Sequence, residues 1–337
     1  MIICVRSING KFQMKLRGMR IVLATALIAC GAASAQDWPA RPITMVVPYA
    51  AGGPTDVVGR LFAQQMGEIL GRQIVVENVP GAGGMTGANR VAHAKPDGHQ
   101  VLFGGSGNLV YNQALYKKPL FDSLTDFTPV ALLTEQSLVL VARRNLPVTS
   151  LSEFARHLKT NTGASFGSAG AGSSTHLGCV MLNLAIGVNA THVPYRGIAA
   201  AHQDMIGGRI DYICDFILTA SPHIQARAVK AIAILSPSRS SILPGIPTAE
   251  EQGISNIDTA NWYGILLPKG ASSAIVQRLH DTAVAALDAP PVRARLRSLG
   301  VEAVAPGRRS PDYLARFLRD DIAKWTAAIK ASGVTAE

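Results

Sequence analysis

The sequence predicts an α/β protein of two Rossmann-like lobes. Apolar, strand-like runs alternate with helical patterns along almost the whole chain, and Gly- and Ser-rich loops follow several of the runs. The 337 residues, 48% hydrophobic and 16% charged, hold more apolar material than one small core needs. No low-complexity stretch or long like-charge block appears, which excludes a disordered class.

The first 35 residues read as an export leader outside the fold. Lys11, Lys15, Arg17 and Arg20 precede a short apolar run, residues 21–29, and Ala33-Ser34-Ala35 supplies a small-x-small cleavage site before Gln36. A run of nine is too short to span a bilayer, which takes about 20 residues. Leu27-Ile28-Ala29-Cys30 also fits a lipobox, so a lipoprotein tethered at Cys30 stands beside a released protein. Met14 and Met19 are alternative starts. Loss of residues 1–35 removes five basic residues and no acidic one, lowering the formal net charge from +10 to +5. That modest excess suits an anion-attracting surface or simply a basic soluble protein and, without Lys/Arg clusters interleaved with aromatics, does not indicate nucleic acid.

Residues 43–49 read as a buried parallel strand. After Gly52-Gly53, the positions Val58, Leu61, Phe62, Met66, Ile69 and Leu70 recur at helical spacing until Gly71 stops the helix. A strand at 73–79, a short helix at 84–94 and a strand at 101–104 complete a βαβ series, which predicts a parallel sheet with helices on both faces. A second block follows the same logic. Strands are expected at 138–141, 164–167, 190–195, 210–216 and 230–235, with helices at 151–158, at 175–186 and between the third and fourth strands. A strand at 263–267 and helices at 274–287, 291–299 and 311–331 end the chain. The chain is expected to cross between lobes near 142 and return near 257. Lobe 1 is then 36–141 plus 258–337, and lobe 2 is 142–257.

Three loops are placed where open α/β sheets bind ligands, at the carboxyl ends of strands. In the first, Tyr49, Ala51, Gly53, Thr55 and Asp56 lead into a helix whose free N–H groups favour an anion. The second holds Ser106 and Asn108. The third runs through Ser168, Ala169, Gly170, Ser173, Ser174, Thr175 and His176, again into a helix. One such loop marks an ordinary turn or cap; three from two facing lobes point to a ligand cleft. Residues 80–87 have the wrong glycine spacing for a dinucleotide site.

Catalytic constellations are missing: no His-Glu-x-x-His or Cys-x-x-Cys occurs. His176 and Cys179 share a helical face but lack a third ligand for zinc. No enzyme, metal or cofactor is therefore expected; a hydrolase using Ser106 or Ser173 with His176 lacks an orienting third group. Asp215 ends a strand and either orients a ligand or water or accepts from nearby backbone N–H groups. Arg60 and Arg196 read as surface or packing residues. Cys179 and Cys214 are equally compatible with a disulfide and with two buried thiols.

An ordered set of motifs then resembles the tripartite tricarboxylate transporter receptors, or Bug family. It begins with Pro48-Tyr49-Ala50-Ala51-Gly52-Gly53, Asp56 and Arg60, and continues through Phe166-Gly167-Ser168, Gly172-Ser173 and His176-Leu177. His192-Val193-Pro194-Tyr195-Arg196-Gly197, Gly208, Asp211 and Asp215 follow, then Pro247-Thr248, Glu251, Gly253 and Trp262-Tyr263-Gly264. The resemblance implies a type II periplasmic binding protein with a hinge and a cleft that shuts on its ligand. It also implies a small carboxylate such as citrate, aspartate, glutamate or nicotinate, held by amides, hydroxyls and waters rather than by arginine. By position, the implied contacts are residues 49–56, Ser106, residues 168–176 and Asp215. Implied partners are the permease subunits of a tripartite transporter or, alternatively, a sensor kinase, with the receptor a monomer in the periplasm. Two departures, Val180 in place of the usual Glu and the segment 216–219, are expected beside the ligand pocket.

Overall fold

The computed structural model describes residues 38–332, apart from 256 and 258; the expected export leader and the expected lipobox at Cys30 lie outside the described residues. Arg41–Glu337 forms one compact unit, and both sheets belong to it.

The chain first lays down β1 (Ile43–Val47), α1 (Pro54–Leu70), β2 (Ile74–Asn78), α2 (Met85–Ala92) and β3 (Gln100–Gly105). A π-helical turn at Gly107–Tyr111 leads into α3 (Asn112–Leu115) and then β4 (Phe127–Gln136). The middle of the chain is β5 (Leu138–Arg143), α4 (Leu151–Thr160), β6 (Ser165–Ser168), α5 (Ser174–Ile186) and β7 (Thr191–Pro194). It continues with α6 (Ile198–Ile206), β8 (Tyr212–Phe216), α7 (Ile217–Gln225) and β9 (Val229–Ile234). Last come β10 (Asn261–Pro268), α8 (Ser273–Asp288), α9 (Pro290–Ser298), β11 (Glu302–Ala303) and α10 (Pro311–Ser332).

Local chemistry explains the first unit. The β-branched run of β1 is buried on both faces, as a central strand requires. In α1, Gly53 stays extended as N-cap, Pro54 fits the first turn, and Val58, Phe62 and Met66 stack on one fully buried face. Gly71, at φ 62°, takes the left-handed conformation that ends the helix.

The strands form a six-stranded sheet, β11-β4-β10-β3-β1-β2, and a five-stranded sheet, β7-β6-β8-β5-β9. Neither is wholly parallel, contrary to the sequence expectation: β10 runs antiparallel to β3 and β4, and β5 runs antiparallel to β8 and β9. Apolar periodicity identifies a strand but not its direction. The strand β4, not anticipated from sequence, carries Pro129. The proline is tolerated because β11 pairs only with Thr134 and Glu135, leaving β4 an edge at that end.

The crossing between sheets also differs from its expected place. Only Ser137 separates β4 from β5, and β5 belongs to the second sheet, so the change of sheet comes ahead of residue 142. The return segment runs alongside. Leu235 donates to Leu138 O at 2.8 Å, Thr259 donates to Leu235 O through N and Oγ1, and Asn261 pairs with Gln136. The two connections thus form a narrow double bridge.

Alternation along β5 builds a core on both faces of the second sheet. Leu138 and Leu140 pack with Phe154 and Tyr212, while Val139 and Val141 pack with Ile213 and Ile234. Cys179 and Cys214 are joined as a disulfide in the first of these cores, with 5.2 Å between their Cα atoms.

Candidate functional site

A cavity lies between the two sheets, and its walls are loops at strand ends and helix N-termini.

The first wall follows from how Asp56 ties its loop. Its carboxylate accepts from Gly52 N at 2.9 Å, Arg60 Nε at 3.0 Å and Asn78 Nδ2 at 2.9 Å, and Asn78 Nδ2 also donates to Tyr49 O. Burial alone would raise its pKa, but the bonds from Arg60, Gly52 and Asn78 outweigh burial and hold the carboxyl below its ordinary value. The loop so fixed aims the start of α1 at the cavity. Val57 N–H is the first to bond back, to Gly53 O, so the N–H groups of Thr55 and Asp56 have no intrahelical partner. Thr55 Oγ1 donates to the Tyr263 hydroxyl at 3.1 Å. Tyr49 is wedged in place, donating to Gly83 O; a Cβ at Gly84 or Gly107 would collide with it. Burial drives the phenols of Tyr49 and Tyr263 far upward, so both stay neutral.

The second wall is built without charge. Ser173 caps α5 by accepting from His176 N and donates to Gly170 O at 2.6 Å, and Thr175 Oγ1 accepts from Ala169 N at 2.9 Å. His176 Nδ1 accepts from Gly172 N at 3.2 Å, and its ring stacks on His192 at 3.9 Å. His192 in turn shares a 2.6 Å hydrogen bond with Ser168 Oγ and stacks on Phe166. Burial, together with the neighbouring His192, pushes His176 down to about 3; burial pushes His192 down to about 4. Both imidazoles are neutral at pH 7.

The walls meet across the cavity. Asn261 Nδ2 donates to Ser174 Oγ at 2.5 Å, and no room remains for a Cβ between Gly83 and the Ala171 carbonyl.

Of the residues expected from sequence, Tyr49, Gly53, Thr55 and Asn108 line the first wall, and Ala169, Ser173, Ser174 and Thr175 line the second. The others do not line the cavity. Ala51 is exposed, Asp56 lies behind the α1 loop, and Ser106 is buried, accepting from Trp262 N at 3.4 Å. Ser168, Gly170 and His176 shape the third loop from behind. Asp215 is fully buried, and its Oδ2 accepts from Thr219 at 2.7 Å and pairs with His202 Nε2 at 2.6 Å. The partners of this oxygen are thus side chains, His202 from 13 residues earlier and Thr219, and not backbone N–H groups. Val180 sits in the second-sheet core rather than at the cavity, whereas Phe216 does form wall. Sequence reasoning also missed Ile198, Asn261 and Tyr263 as wall residues. Each had a signal: Tyr263 lies within the Trp262-Tyr263-Gly264 motif, Asn261 stands just before it, and Ile198 follows the motif that ends at Gly197.

No lining residue carries a charge. Among the described residues, no group of three or more His, Cys, Asp or Glu could hold a metal ion. The site can therefore desolvate a small anion and satisfy it with neutral donors, the N–H groups of two opposed helix starts foremost.

Two mixed α/β lobes joined by a double bridge around such a cavity define a type II periplasmic binding protein. The fold matches the structure of the periplasmic binding protein BugD with a TM-score of 0.85 and 35% identity, over 89% of this chain and 100% of that one. It matches MatC from Rhodopseudomonas palustris with bound malate at 0.84 and 40% identity, over 87% of this chain and 100% of that one. A second R. palustris protein, solved with adipate, matches at 0.84 and 30% identity, over 89% and 99%. Residues 58–334 match the model of the tripartite tricarboxylate transporter family receptor, and the chain belongs to that family.

Proposed function

We propose that this protein is a periplasmic receptor that captures a small carboxylate and presents it to the permease of a tripartite transporter. The observation that carries the reading is the uncharged cavity between two opposed helix N-termini, those of α1 and α5. Amide donors fixed by the fold replace water around an anion without a basic side chain. Bound malate and adipate in the two R. palustris relatives support a carboxylate as ligand. The basic leader with its Ala33-Ser34-Ala35 site supports export. One chain supplies both walls, so a monomer suffices.

Binding without turnover fits the same atoms. Ser173 Oγ donates to Gly170 O and His176 Nδ1 accepts from Gly172 N, so neither the serine proton nor that ring nitrogen is poised for nucleophilic attack.

The test is a thermal-shift screen against mono-, di- and tricarboxylates and aromatic acids. A ligand far above its dissociation constant raises the Tm, by mass action on the folded state. Absence of any shift, with no acid released from the denatured protein in mass spectrometry, would end the carboxylate reading.

A further inference from the structure

The two lobes touch on both sides of the double bridge. On the cavity side, Gly83 of the first lobe meets the Ala171 carbonyl of the second with no room for a Cβ. On the far side a second cleft is lined by Gln136, Ser137, Ala260 and Gly300 together with Ile217 and Ser236. Neighbouring residues face opposite ways here: Phe216 and Asn261 line the ligand cavity, whereas Ile217 and Ala260 line the far cleft. Successive side chains of extended backbone alternate in this manner, so the bridge lies between the two openings.

Behind the bridge the lobes meet at Gly300. This residue ends α9 in the left-handed conformation, φ 67°, and turns bare backbone towards the second lobe. A Cβ there would lie 2.9 Å from Ile242 Cδ1 and 3.2 Å from Ile217 Cγ2. Both isoleucines are backed by the second-sheet core with Ile213 and Ile234, and Ile217 N donates to Ser137 O in the bridge at 3.4 Å.

We infer that the contact of Gly300 with Ile242 is a stop that limits how far the ligand cavity opens. Lobes that pivot on a narrow bridge act as a lever: parting the walls at Gly83 and Ala171 drives Gly300 towards Ile242. The contact has no space for one more methyl group, and packed side chains yield only by leaving their rotamers. Opening is therefore opposed from behind, whatever the cavity binds, and the ligand-free receptor is held towards its closed form. A receptor that is closed for more of the time binds every ligand of the closed form more tightly by the same factor.

Hydrogen exchange of the ligand-free protein, read by mass spectrometry, tests this without a known ligand. The segments to follow are 49–53 and 169–172, which belong to opposite walls of the cavity and exchange more slowly when the walls meet. Asparagine tolerates the left-handed backbone while adding a Cβ, so Gly300→Asn is a wedge behind the bridge. It should slow exchange in both segments by about threefold to tenfold, and Ile242→Ala, which frees space at the stop, should speed it by a similar factor. The double variant should return towards the parent rate, because the wedge then has room. Gly83→Asn, a wedge on the cavity side, should act in the opposite sense to Gly300→Asn. Circular dichroism melts establish that each variant folds; if Gly300→Asn does not fold, Ile242→Ala decides alone. Exchange unchanged in Ile242→Ala overturns the inference. Faster exchange in both Gly300→Asn and Ile242→Ala overturns it too, since that is general loosening and not leverage.

Discussion

The two binding loops perform one task by opposite chemistry. Each presents the start of a helix to the cavity, α1 from the first sheet and α5 from the second. The α1 loop is strapped by an ionised carboxylate, Asp56, whose arginine partner lies 53% exposed. The α5 loop rests on a neutral stack of His176, His192 and Phe166, with His176 itself 6% exposed. Charge near solvent tolerates strong acid only down to the carboxylate's own titration. Neutral imidazoles in the interior resist protonation and are penalised as soon as free histidine would accept a proton. The two halves of one site should therefore fail under different conditions.

The largest separation between them should come from the disulfide, which staples α5 to β8 in the second lobe only. Cys179→Ser with Cys214→Ser should cost about 3–4 kcal/mol, from the loop entropy of a 35-residue separation, in urea unfolding against the parent. Equal midpoints would show that packing alone holds that lobe.

Next, Asp56→Asn should cost about 2 kcal/mol by the same assay, because a charged acceptor of three hydrogen bonds is lost. Its ligand affinity should fall as well, since the α1 start is no longer aimed. Unchanged affinity would mean that the loop holds its shape without the carboxylate.

The pH response should distinguish the loops more finely. His176 and His192 have folded pKa values of about 3 and about 4 against 6.5 unfolded, so the unfolded chain binds their protons first. Stability is then lost as pH falls from about 6.5 towards 4, with a Tm about 2–5 °C lower at pH 4.5 than at pH 7. Asp56 works in the other window: its folded pKa lies below the ordinary 3.8, so its contribution holds above pH 4 and is lost only below it. His192→Asn should flatten the upper limb of the melt-versus-pH curve and leave the lower limb intact. The smallest effect is Ser173→Ala, about 1 kcal/mol for a lost N-cap, read as a slight drop in Tm.

Most of the fold could be read from the chain because its strands are apolar runs bounded by glycine-rich turns. What escaped was relational. Nothing in residues 127–136 separates a strand from a connecting segment once Pro129 interrupts the pattern, and pairing with β10 along its length, and with β11 at one end, makes it one. The cavity loops were legible because glycine, serine and threonine before a helix announce an exposed helix start. The roles within them were not. Thr55 and Tyr263 meet across 208 positions and Asn261 and Ser174 across 87, and no local pattern encodes such contacts. Asp215 was legible as a strand-end acid, but its partner His202 comes from the neighbouring helix α6.

The place of β10 has a consequence for how the molecule is made. This strand fills the middle of the first sheet, between β3 and β4, yet the whole second lobe separates it from β4 in sequence. A chain emerging from its N-terminus therefore carries β1 to β4 with a vacant slot at their centre. The second sheet, whose strands are contiguous from Leu138 to Ile234, has all its members in hand some 30 residues earlier than the first gains its keystone. The lobe synthesised first is the one completed last, and its open strand edges are what a folding helper would have to shield.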